Sequence, residues 1–200
     1  FLTVYSQAYT LESAKRVEFV SQLMRTGVAY SLIHACNSGV MSLSAAGIKN
    51  YDHLLEVIQA ASLRLKQLHI DRFGITLTQE RIVKLIAMCP RLEVIDLPYS
   101  RFDDEAVIKL VQGRPLRHLT LSAHRISSLA IKEIAKLPLK ELHLFLAKEL
   151  TDDDVALICS MKTLNKLTIT FAKKLTHNSR IKIQERNFEM VNMQGCYEEG

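Results

Sequence analysis

The sequence predicts an α/β fold made by stacking one small unit, a short strand followed by a helix. A curved parallel sheet would line the concave side and helices the convex side. Three observations predict this. The first is a spacing, L-x-x-L-x-L, which recurs as Leu65-Leu68-Ile70, Leu92-Ile95-Leu97, Leu116-Leu119-Leu121, Leu139-Leu142-Leu144 and Leu164-Leu167-Ile169. Weaker copies are Val40-Leu43-Ala45 and Phe188-Val191-Met193. The second is its regularity, with copies starting at 40, 65, 92, 116, 139, 164 and 188, or 23–27 residues apart. The third is an apolar stripe at helical spacing after the strand. One strand and one helix cannot bury their apolar faces alone, whereas stacked units share a continuous core.

The elements follow in order. Residues 1–39 do not repeat. Val17, Val20, Leu23 and Met24 predict one helix, with Gly27 near its end, and Val28 to Ala35 a second. This segment reads as an N-terminal helical cap, because a terminal unit must cover the exposed end of the core. Residues 40–200 then form about seven repeats. Helices are expected at Ile82, Leu85, Ile86 and Met88, at Val107, Ile108, Leu110 and Val111, at Leu129, Ile131, Ile134 and Ala135, and at Val155, Leu157 and Ile158. The copy from Phe188 is weakly apolar and is followed only by "CYEEG", which leaves an open strand edge.

Asp152, Asp153 and Asp154 follow Thr151, and "FDDEAV" places Asp103, Asp104 and Glu105 likewise. Such clusters invite a catalytic or metal reading. They recur with the repeat at helix starts, where Thr and Asp cap free N–H groups and acids favour the positive end of the helix dipole. They are read as caps.

Bulk composition bounds the function. An apolar fraction of 48% supports a core, and 24% charged residues is ordinary for a globular chain. No apolar run is long enough to span a membrane, so no membrane insertion is expected. The net charge is +5. Between Lys162 and Arg186 seven bases (Lys162, Lys166, Lys173, Lys174, Arg180, Lys182, Arg186) meet one acid, Glu185. This reads as a solvated face, without the aromatic interleaving of a nucleic-acid site. Cys36, Cys89, Cys159 and Cys196 form no C-x-x-C pair, consistent with a reduced, intracellular protein. No G-x-S-x-G, glycine-rich phosphate loop or H-E-x-x-H is present. No catalytic residue, cofactor or metal is expected. The start at Phe1 points to a processed protein or part of a longer chain.

The chain resembles leucine-rich repeat proteins of the cysteine-containing type. The resemblance rests on "LHLFLAKELTDDD", "LTITFAKKLTHNS" and "MCPRLEVIDL", and on Cys196 in "VNMQGC". Ala147 and Ala172 replace Cys at the small-residue position in two copies and His124 in a third, the last being a departure from the pattern. The resemblance implies a solenoid used as a binding scaffold, as in F-box/leucine-rich repeat receptors of ubiquitin ligases. "ESAKRVEFVSQLMRTGVAYS" is loosely similar to the segment before the repeats in mitochondrial ATP synthase coupling factor B.

Solvent-facing positions of the strands supply the candidate site. The middle x gives His69, Asp96, Thr120, His143 and Thr168, and later positions give Asp71, Tyr99, Phe145, Leu146 and Phe171. His118 lies diagonal to His143 on the next strand, near Glu141. Those three are transition-metal ligand types, but strand histidines are read as plain surface. Aromatic anchors amid polar neighbours are the pattern of a protein-binding patch. The expected function is a non-catalytic scaffold, a subunit or adaptor of a larger complex. Protein partners would bind the concave face and the open C-terminal end, and no nucleic acid is expected. Alternatives are the substrate-recognition part of an F-box-type ligase, a mitochondrial accessory subunit or assembly factor, and a bacterial repeat effector.

Overall fold

A computed structural model describes residues 30–35, 40–45, 51, 52, 55, 58, 65–70 and 78–196. The chain divides into two compact units, residues 1–96 and 97–200. Both units combine parallel strand pairs with helices.

In the first unit, strand β1 (Tyr30–Ala35) pairs antiparallel with β2 (Val40–Ala45), in register from Tyr30 opposite Ala45 to Ala35 opposite Val40. β2 runs parallel to β3 (Leu65–Ile70), and β3 parallel to the start of β4 (Val94–Leu97). Helix α1 (Gln79–Ala87) lies between β3 and β4 in sequence. The second helix expected over Val28 to Ala35 is not formed over Tyr30–Ala35, which is β1. Eight residues are too few for helical periodicity to declare itself. An antiparallel partner meanwhile satisfies the backbone groups along one side of β2. The helix expected around Val17 to Met24 lies outside the described residues.

The second unit is the more regular. Helices α2 (Asp104–Val111), α3 (Ser128–Ile134), α4 (Asp152–Cys159) and α5 (His177–Arg186) alternate with strands β5 (His118–Ser122), β6 (Glu141–Phe145), β7 (Lys166–Ile169) and β8 (Met190–Asn192). The four strands are parallel neighbours in sequence order. Successive helices pack against one another. The register is strict: Leu119, Leu142, Leu167 and Val191 share one row, and Leu121, Leu144 and Ile169 another. Leu116, Leu119, Leu121, Leu139, Leu142, Leu144, Leu164, Leu167 and Ile169 are all fully buried. Each contributes about 1.5–3 kcal/mol through the hydrophobic effect. A central truncation such as Leu142→Ala would cost about 2–5 kcal/mol.

The helix starts are capped as the sequence requires. Thr78, Asp103, Ser127, Thr151 and Thr176 are the N-caps, each accepting a bond from a backbone N–H of its helix. Thr151 and Asp154 complete a reciprocal capping box. Two acids do more than cap. Asp104 accepts the N–H and hydroxyl of Ser127 at 2.7 and 2.5 Å, so it fixes the next helix's cap. Asp152 likewise accepts the N–H of Thr176 at 2.9 Å, together with the hydroxyls of Thr176 and Ser179. Burial disfavours the charged form of Asp152. The bonds from Ser179 and Thr176 outweigh it and hold the carboxyl below its ordinary range.

The turn after each strand explains the departure at His124. Ala147, Ala172 and Cys196 are buried, and each follows a residue in the left-handed region: Leu146 (φ 56°), Phe171 (φ 55°) and Gly195 (φ 65°). The copy from Leu116 is one residue shorter there and has no left-handed residue. Its small position is therefore filled by Ala123, which is buried, and His124 moves out to a half-buried place bonded to Ser122 Oγ at 3.1 Å. A fixed spacing from the last Leu misassigns the position by one residue.

Candidate functional site: the polar face of β5 to β7

On the face opposite the leucines, register dictates the neighbours. His118, Glu141 and Lys166 form one row across β5, β6 and β7, and Thr120, His143 and Thr168 form the next. His118 and His143 are thus diagonal, with ring centroids 5.1 Å apart and planes tilted by 40°. His118 Nδ1 lies 3.1 Å from Glu141 Oε2, and His143 Nε2 lies 3.9 Å from the same oxygen. The other oxygen, Oε1, accepts from Lys166 Nζ at 2.7 Å. His118 Nε2 meets Thr120 Oγ1 at 3.1 Å. One nitrogen of each ring and one Glu141 oxygen lie within 4.8 Å of one another. The Lys166 hydrogen bond, aided by electrostatic interaction with Lys166 and the two rings, holds the Glu141 carboxyl below its ordinary range against a smaller opposing effect of burial.

The other sequence-predicted residues fall into separate groups. In the first unit His69 Nδ1 and Asp96 Oδ2 are 3.1 Å apart on paired strands. Asp71 lies outside the described residues. Tyr99 is exposed at 63%, Phe171 at 43% and Leu146 at 42%, while Phe145 is half-buried. Leu146 and Phe171 therefore do not tuck into the core. Thr120 and Thr168, expected in solvent, are buried at 4% and 5%. They flank His143 in one row, where strands about 4.8 Å apart let a long side chain shade a short one.

Lys166 is the member of this cluster that sequence reasoning missed. It was legible only as part of a basic run, three of whose members are engaged separately. Lys166 pairs with Glu141 and Lys174 with Glu149 at 2.5 Å. Arg186 donates to the carbonyls of Cys159, Met161, Lys162 and Leu164 at 3.1–3.3 Å, closing the turn after α4. The signal for Lys166 was its place 25 residues after Glu141, one repeat on in the same strand position.

The sequence matches no known family's profile and no curated protein.

Proposed function

We propose that this chain is a leucine-rich repeat solenoid acting as a non-catalytic scaffold, which binds protein partners through its sheet face as a subunit or adaptor of a larger complex. The observation that carries this reading is the set of exposed apolar groups at the strand ends, Tyr99, Leu146 and Phe171. Two of them, Leu146 and Phe171, sit in backbone conformations that bulky residues rarely adopt. A fold that only needed its core would place glycine there, as it does at Gly195. Large apolar groups amid polar neighbours are the composition of interface anchors. Met190 and Val191 of β8 are exposed too, and among the described residues β8 is paired on one side only.

The test is affinity purification with mass spectrometry, run in parallel on the wild type and on Tyr99→Asp and Phe171→Asp variants. A partner captured by the wild type and lost from both variants supports the reading. Its identity separates a ubiquitin-ligase receptor, a mitochondrial subunit and an effector. A partner retained by both variants moves the interface off this face. Turnover of a small molecule by the purified chain would overturn the scaffold reading.

A further inference from the structure

The cluster on β5 and β6 has a chemistry that partner binding does not require. We propose that His118, Glu141 and His143 form a surface site for a divalent transition-metal ion of the zinc and copper class, bound by two imidazole nitrogens and one carboxylate oxygen. Donors bound tetrahedrally to zinc at about 2.0–2.1 Å lie about 3.3 Å from one another. Glu141 Oε2 is 3.1 Å from His118 Nδ1 and 3.9 Å from His143 Nε2, so each of these pairs is within a side-chain adjustment of that separation. One nitrogen of each ring and one Glu141 oxygen already lie within 4.8 Å of one another, and rotation of rings that are tilted rather than stacked brings the donors closer.

The backbone holds the donors in place. Leu119 lies between His118 and Thr120 in the chain, and Leu142 between Glu141 and His143. Both leucines are fully buried and directly opposite each other in the sheet. The strands therefore cannot shift without disturbing the core. Thr120 acts as a supporting residue. Its hydroxyl can accept from His118 Nε2–H as well as donate to it, so the ring can carry its proton on Nε2 and turn the Nδ1 lone pair to the ion. Any proton that Nδ1 shares with Glu141 leaves to Nε2 or to water when the ion binds.

The donor set decides the ion. Two imidazoles favour zinc, copper, nickel and cobalt, whereas magnesium and calcium require oxygen ligands. Lys166 sets the denticity. It occupies Oε1 and leaves Oε2 as the single carboxylate donor, and its charge opposes the cation. Three protein donors leave at least one position of a tetrahedral ion open. The side chains are 16–29% exposed, so that position is reachable by water or by a donor from a partner.

The experiment is titration of the chelator-stripped chain with Zn²⁺, Co²⁺ and Mg²⁺, followed by calorimetry and by the visible spectrum of cobalt. One equivalent of Zn²⁺ and of Co²⁺ should bind, with no thiolate charge-transfer band and no response to Mg²⁺. The double variant His118→Ala/His143→Ala should weaken Zn²⁺ binding at least about tenfold, with His69→Ala and His124→Ala unchanged. Lys166→Met should tighten binding about threefold or more by removing the opposing charge, a change that general damage to the fold would not cause. Should the double variant fold poorly, paramagnetic broadening by Co²⁺ in the wild type decides, with His118 and His143 expected among the first resonances lost. Absence of binding, a double variant within about twofold of wild type, or broadening centred elsewhere would overturn the proposal.

Discussion

The helix starts and the strand face of the second unit treat the same kind of residue in opposite ways. At the helix starts, Asp154 closes the cap of its own helix, while Asp104 and Asp152 accept the N–H and hydroxyl of the next helix's cap, so their charge is used to hold one strand–helix unit to the next. On the strand face, Glu141 bonds to Lys166 and to the histidines, side chain to side chain. Where backbone groups must be satisfied, an acid is part of the fold. Where the ladder already satisfies the backbone, an acid is free to serve something else.

Substitutions can break or sharpen this contrast. Outside the leucine core, Asp152→Ala carries the largest expected effect, a loss of about 2 kcal/mol, because the cap of α5 loses its anchor. Urea denaturation should show a lower midpoint with an unchanged slope. Gly195→Ala ranks next, at about 1 kcal/mol or somewhat more, because alanine is strained at positive φ. Its Cβ would also stand 3.0 Å from Phe171 Cδ1. Thermal melting should register it, and Phe171→Ala in the same background should recover part of the loss. Glu141→Gln should cost least, about 0.5 kcal/mol or less, since exposed ion pairs contribute little. That variant should nevertheless lose the transition-metal response. A Glu141→Gln penalty as large as that of Asp152→Ala would erase the distinction between helix start and strand face.

Acid acts on both regions. The carboxyls of Asp152 and Glu141 are both held below their ordinary range in the folded chain. Their contribution is therefore complete above the unfolded-state value of about 4 and lost as pH falls below it. Stability measured by urea midpoint should drop on acidification below about pH 4, and the drop should be smaller in Asp152→Asn than in wild type.

Much of this was legible from spacing. The recurring Leu triplets located strands β3 to β8, and the acids after Thr151 and Phe102 marked helix starts, because burial on one face and capping at one end are local requirements. His118 and His143 could be placed diagonally by counting from the leucines. The β1 strand was not legible, since its identity comes from a partner, β2, rather than from its own pattern. Nor was the position of Ala123, because one residue fewer in the turn leaves no mark in composition.

By itself, then, the sequence determined the repeat, the buried leucine rows and the caps, all of which follow from a period and a burial preference that each unit carries within itself. Only the tertiary structure decided which polar side chains meet. Glu141 faces His118 and Lys166 because parallel register sets residues 23 and 25 positions away opposite it. Whether Thr120 is wet or Leu146 dry depends on the reach of side chains from the next strand. Those are relations between units, and no single unit encodes them.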